Sequence, residues 1–283
     1  MANTYEDRMR RVIQHIFDNP AGDLSLDALA DVAAMSRFHW HRVYHAMTGE
    51  TCAQAVRRVR AHRAACWLVQ SDWPIEVIAT KAGYDNTQSF ARLFRKRFGM
   101  TPAAFRAAGR AGHPDFELRK GPRHMFPVEI KELPERRLAA LRHTGAYPES
   151  GRAYEQVAAV FSANNLWPQA RGMVGVYYDD PESTPEADLT ADCGVEVAEA
   201  FEMPEALSDV RLTGGSYAVL MFKGPYSGLK SAYDYLYGPW LAETGKDPAD
   251  APSYERYLNS PTDTAPADLV TEICMPLAKG GTA

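Results

Sequence analysis

Cysteine is scarce in this chain, with four in 283 residues and no CxxC pair. That scarcity excludes a disulfide framework and argues against a zinc site. Cys52, Cys66, Cys193 and Cys274 read instead as small, buried or half-buried hydrophobes. No run of eighteen apolar residues occurs, so no membrane-spanning helix is expected. The stretch MANTYEDRMRRVIQHIF is charged and amphipathic and lacks the apolar core of a signal peptide, which predicts a cytoplasmic protein. Hydrophobic content of 46% and charged content of 24% are ordinary for a globular chain, and the length predicts two domains.

Excess positive charge is also missing overall, yet the net −5 conceals an asymmetry: residues 1–124 carry +7 and residues 125–283 carry −12. One part therefore suits a polyanion and the other does not. Charge alone does not name the polyanion, and a solvated basic face is the simpler alternative.

The first 110 residues carry helical periodicity and no sustained alternation. Tyr5 to Phe17 puts Met9, Val12, Ile13 and Ile16 on one face, and Asn19, Pro20 and Gly22 break it. Ser25 can cap a following helix that carries Leu26, Leu29, Ala30 and Ala33. The segment LDALADVAAMSRFHWHRVYHAMTGET, Leu26 to Thr51, returns about fifty residues later as IEVIATKAGYDNTQSFARLFRKRFGMT, Ile75 to Thr101. Ala30 and Ala79 are small where helices must cross closely. Gly83 permits a left-handed turn, and Ala34 stands at the equivalent place. Ser36, and Asn86 or Asp85, can cap the next helix; Tyr44 and Phe94 anchor it; Gly49 and Gly99 close it. Between the copies, Thr51 to Gln70 reads as one connecting helix.

These segments resemble the AraC/XylS family, whose DNA-binding domain is two helix-turn-helix units joined by a rigid helix. The likeness covers about Met9 to Arg106 and departs at Ala34-Met35, where the second unit has Gly83-Tyr84. The resemblance implies a regulator that binds double-stranded DNA, with RNA polymerase as a candidate partner. The second helix of each unit is then expected in the major groove. Its exposed face would hold Arg37, Phe38, His41 and Arg42 in the first unit, and Thr87, Gln88, Ser89 and Arg92 in the second. Arginine can read guanine and glutamine adenine, while Phe38 can meet a thymine methyl or fall in the core. His41 and His45 have metal-ligand spacing, but no carboxylate or cysteine joins them, so no metal is called for. Arg95 to Arg97 could be a phosphate clamp or a solvated face.

The predicted division is 1–110 for DNA binding, 111–126 as linker, and 127–283 as a second domain. After Pro127 the pattern turns to strands and repeats again: His143–Tyr147 and Ala153–Val157 return as Phe222–Tyr226 and Ala232–Leu236, both 79 residues on. GVYYDDP (175–181) then parallels ERYLNSP (255–261). Each copy reads strand, helix, strand, strand. The fold class is thus multidomain, an all-α domain followed by a pseudo-symmetric α+β domain with an antiparallel sheet.

This order, with the segments GPYSGLKSAYDYLYGPWL and SYERYLNSP, resembles the GyrI-like effector-binding domain in the arrangement of Rob-like regulators. The resemblance implies a ligand sensor with a small-molecule effector, amphipathic or cationic, in the cleft between the repeats. Glu255 stands where the other repeat has Gly175 and is the candidate counter-charge; a rim carboxylate paired with Lys or Arg is the alternative. Tyr257, Tyr177, Trp240, Tyr226, Tyr147, Phe222 and Met173 are candidate lining residues, though each could be ordinary core. Some GyrI-like proteins hydrolyse reactive electrophiles with a glutamate and a tyrosine much like Glu255 and Tyr257, and others bind protein partners. No nucleophile–base pair or cofactor motif supports chemistry independently, so a non-enzymatic regulator without cofactor is the reading.

Overall fold

The protein is described by a computed structural model covering residues 4–108 and 126–278. The expected linker at 111–126 lies almost wholly outside those residues. Among the described residues seven helices come first. Thr4 opens α1 (Tyr5–Asp18) with a reciprocal cap: its hydroxyl accepts from the Asp7 N–H while the Asp7 carboxylate accepts from the Thr4 N–H. Ser25 caps α2 (Leu26–Ala33) by accepting from the Ala28 N–H. The chain leaves α2 through Ala34 at φ 52°, a left-handed conformation that costs a residue with a Cβ about 1–2 kcal/mol. Helix α3 (Trp40–Thr48) ends at Gly49, and α4 (Cys52–Gln70) is the single long connector. Helices α5 (Ile75–Lys81), α6 (Thr87–Phe98) and α7 (Pro102–Ala108) complete the domain.

The second turn is built more tightly than the first. Gly83 sits at φ 78°, and a Cβ there would lie 2.4 Å from the Pro20 carbonyl oxygen and 2.8 Å from the Arg60 guanidinium. Asn86, rather than Asp85, caps α6 by accepting from the Ser89 N–H at 2.8 Å. Ser36 departs from expectation. Its hydroxyl accepts from the Phe38 N–H within a preceding turn, and α3 begins only at Trp40.

The α+β half has β1 (Val128–Leu133), β2 (Arg136–Thr144), α8 (Gly151–Ala163), β3 (Gly172–Tyr177) and β4 (Thr190–Val197). Its second copy has β5 (Ser208–Leu212), β6 (Gly215–Lys223), α9 (Leu229–Tyr235), β7 (Ser253–Tyr257) and β8 (Val270–Pro276). All eight strands form one antiparallel sheet in the order β1-β6-β8-β7-β3-β4-β2-β5. The pseudo-twofold axis runs between β7 and β3. Each repeat gains a leading strand beyond the expected four elements, and the two exchange them: β1 pairs with β6, and β5 with β2. Helix α9 runs on through a π-helical turn (Leu236–Trp240) that contains Pro239, which lacks the N–H an α-helical ladder requires, into α10 (Leu241–Thr244).

The two helix-turn-helix units are packed differently. Ala64, Ala65 and Leu68 of α4 join Ile78, Phe90, Phe94 and Phe105 in a core that belongs to the second unit alone. The first unit shares its core with the other half of the chain: Met9, Val12, Leu29, Trp40 and Tyr44 are contiguous with Leu236, Trp240, Ile273 and Met275.

Candidate functional site

Register places the candidate carboxylate at the centre of the sheet. Glu255 on β7 faces Gly175 across the β3 pairing, with Tyr257 opposite Met173 and Ser253 opposite Tyr177. Alternation puts all six side-chain positions on one sheet face. Two strands from different repeats thus meet at the pseudo-twofold, one with a carboxylate and the other with none.

Glu255 is 5% exposed, so it is not a rim group. One carboxylate oxygen accepts from the Tyr233 hydroxyl at 2.9 Å and the other from Tyr257 at 2.8 Å. Tyr257 Oη is also 2.7 Å from Tyr177 Oη. Because the Tyr257 proton goes to the carboxylate, Tyr177 must be the donor in that second bond. Burial holds the Glu255 carboxyl above its usual range, against the opposing influence of both hydroxyls and of the Arg42 charge. Burial likewise pushes the Tyr257 and Tyr233 hydroxyls well above theirs.

The walls are symmetry mates. Tyr147 and Tyr226, Tyr154 and Tyr233, and Tyr177 and Tyr257 are each 79 or 80 residues apart. Tyr226 and Tyr154 both meet the Tyr257 ring edge to face, at 5.5 and 5.8 Å, and Tyr147 meets Tyr177 at 4.9 Å. The symmetry breaks at the carboxylate. Tyr233 donates to Glu255, whereas Tyr154 points its hydroxyl at Gly175, where a Cβ would come within 2.4 Å of it. The glycine therefore makes room for the tyrosine cluster.

Of the expected lining residues the structure brings Glu255, Tyr257, Tyr177, Tyr226 and Tyr147 together, with half-buried Met173 beside Tyr257. Trp240 and Phe222 are corrected: both are buried in the core shared with the first helix-turn-helix unit, Trp240 on the π-helical turn that packs against α3 and Phe222 on β6 against Phe126. Tyr154 and Tyr233 were missed. Their signal was the repeat itself, in the AlaTyr pairs at Ala153-Tyr154 and Ala232-Tyr233.

The residues expected to read DNA divide unevenly. In α6, Gln88 and Arg92 are exposed and Thr87 and Ser89 half-buried, with Arg95, Lys96 and Arg97 exposed along the same helix. In the first unit Arg37 is exposed and Phe38 half-buried, their side chains stacked at 5.0 Å. His41 and Arg42, expected on the open face, are buried instead, because the α+β domain lies over that face of α3. Arg42 donates to the carbonyl oxygens of Asp179 at 2.7 Å and Tyr177 at 3.3 Å. Its guanidinium also lies over the Tyr233 and Tyr237 rings, at 5.2 and 5.6 Å.

Other features do not extend this site. Among the described residues no group of three or more His, Cys, Asp or Glu could hold a metal ion, and no helix is long and apolar enough to cross a membrane. A depression of about 360 Å³ lies elsewhere, lined by Glu135, Arg136, Arg137, Arg171, Glu196 and Arg211, mostly already ion-paired.

Comparison with known proteins matches residues 126–278 to the GyrI-like small molecule binding domain and residues 29–108 to a helix-turn-helix domain. The transcriptional regulator Rob of Salmonella typhimurium is 26% identical over 278 residues, covering 90% of this chain and 93% of that protein. The bifunctional transcriptional activator/DNA repair enzyme AdaA of Bacillus subtilis is 36% identical over 95 residues, which span 34% of this chain and 45% of AdaA. A DNA gyrase inhibitor of Yersinia enterocolitica is 27% identical over 136 residues, 46% of this chain and 85% of that protein.

Proposed function

Because the chain belongs to the GyrI-like small molecule binding domain family and carries an AraC-type helix-turn-helix domain ahead of it, we propose that it is a DNA-binding transcription regulator answering to a small cationic effector. The effector site is the expected cleft between the repeats, at the tyrosine cluster around Glu255. One observation carries this reading: a carboxylate 5% exposed at the junction of two repeats, held by two tyrosine hydroxyls. A buried charge without an ion partner is unfavourable, and an arriving cation offsets that while the ring faces attract it further. An amphipathic cation suits both features.

The ring of high-pKa hydroxyls does not favour hydrolysis. Tyr257, Tyr233 and Tyr177 are all held protonated by burial, so none is poised as a base near neutral pH. Rob, which matches along nearly the whole chain, bears a regulator's name, and this supports a binding role over turnover.

The test uses tetraphenylphosphonium as cation and triphenylphosphine oxide as a neutral analogue, titrated calorimetrically into the full chain. Glu255→Gln keeps the shape and one of the two accepted hydrogen bonds, through its amide oxygen, while the amide nitrogen can only donate; the charge is removed. It is expected to weaken the cation about tenfold or more, equivalent to ~1.4 kcal/mol or more, and to change the neutral analogue less than about twofold. Equal losses for both compounds would remove the counter-charge role.

A further inference from the structure

Helix α3 is buried on the side that its own domain leaves free. At helical spacing Trp40, Val43, Tyr44 and Met47 form one stripe, facing the core of the first unit. The opposite stripe is His41, Arg42, His45 and Ala46, the side a recognition helix presents to a major groove. Here His41, Arg42 and Ala46 are all buried, and seven of the nine α3 residues are. The cover is the π-helical turn after α9: a Cβ on Gly238 would lie 3.2 Å from the Ala46 Cβ. At the start of α3, His39 accepts from or donates to the Tyr237 hydroxyl at 2.9 Å and stacks on its ring. Farther out, Arg8 holds Asp247 with two hydrogen bonds and Ser36 donates to Asp250.

The covering does more than hide a helix. Arg42 reaches between Tyr233 of α9 and Tyr237 of the π-helical turn on one side, and the Tyr177 and Asp179 carbonyls, at and just past the end of β3, on the other. The ring it overlies most closely, Tyr233, is one of the two that hold Glu255. A guanidinium over aromatic faces beside a buried carboxylate is what a cationic effector would supply.

We propose that Arg42 is an internal stand-in for the effector, so that the cleft and the DNA groove compete for the same helix. With Arg42 seated, α3 has no groove-facing surface, since a major groove about 12 Å wide cannot admit a helix with a second helix packed against its reading face. A cation that displaces Arg42 from Tyr233 and the neighbourhood of Glu255 releases α3, and DNA held by α3 leaves the cleft open to the cation. By linkage each raises the affinity for the other. This coupling rests on the effector reading above; the masking of α3 does not.

The experiment uses the full chain and a duplex selected by it from a random pool, read by fluorescence anisotropy. Ala46→Cys with Gly238→Cys places two Cβ atoms near disulfide distance across the interface. The oxidised protein is expected to bind the duplex at least about tenfold more weakly than the reduced protein, which reports on folding of the same variant. Tetraphenylphosphonium is expected to strengthen DNA binding in the reduced form and not in the oxidised one. As a second route, Asp247→Ala removes a tether on the surface and should strengthen DNA binding severalfold. Equal affinity in oxidised and reduced forms, with Asp247→Ala also neutral, overturns the masking. Cation binding that is sensitive to Glu255→Gln but leaves DNA affinity unchanged overturns the coupling and leaves the effector reading standing. A redox-dependent loss of DNA binding without any cation binding supports the masking and overturns the effector reading instead.

Discussion

Two turns at equivalent positions carry different residues, and the difference is measurable. Gly83 has positive φ and no room for a Cβ beside the Pro20 carbonyl, so Gly83→Ala is expected to destabilise by about 2–3 kcal/mol in urea unfolding. Ala34 has the same left-handed backbone, and Ala34→Gly relieves strain while adding freedom to the unfolded chain, for a net gain of up to ~1 kcal/mol. A gain from the first substitution or a loss above ~1 kcal/mol from the second would contradict this account of the turns. Both positions were legible in the sequence, because a turn's demand on φ is local. The caps of α2 and α6 were legible for the same reason. Arg42 was not. Its helical position says which side faces away from its own domain, but nothing local says that another domain lies over it. Trp240 and Phe222 were misplaced on similar grounds, since aromatic character does not distinguish a cleft wall from a core.

At the scale of elements, the repeats were readable from their 79-residue offset, whereas the exchange of β1 and β5 was not. Only two residues, Pro134 and Glu135, join β1 to β2, which suggests a hairpin, yet β1 pairs with β6. Which edge a short strand joins is decided by the completed sheet and not by its own composition. Helix α3 carries the other element-scale consequence. Burial, reinforced by the Arg42 charge, lowers the pKa of His41 from 6.5 to about 4 and that of His39 to about 3. Asp180 and Asp179 pull His41 the other way, and the Tyr237 ring stacks on His39. The docked form therefore binds fewer protons. Docking is fully favoured above pH 6.5 and weakens as pH falls through that value toward 4, by about 1.4 kcal/mol per unit for each histidine that becomes solvated on release. The radius of gyration measured by small-angle scattering is expected to rise between pH 6.5 and 5, and His41→Gln should blunt that rise. A radius unchanged over the interval in the parent protein would contradict the role given to His41.

For the whole molecule, the asymmetry between the two units predicts how DNA is held in each state. The second unit has its own core and an exposed α6, with Gln88, Arg92 and the run Arg95 to Arg97 open in the docked conformation. The first unit is fused to the acidic half through a shared core and has its reading helix covered. The docked protein should consequently meet DNA through one unit and the released protein through two. Each phosphate neutralised steepens the slope of log affinity against log salt by about 0.9. The oxidised Ala46→Cys/Gly238→Cys protein is expected to show a slope shallower by roughly 2–3 than its reduced form, reflecting the phosphates the first unit no longer reaches. Arg92→Ala, on the unit that stays open, should weaken binding by about 1–3 kcal/mol in both redox states. Parallel salt slopes would mean that both states use the same set of phosphates. An Arg92 effect confined to the reduced state would mean that α6 also depends on release, and that the two units act as one body despite their separate cores.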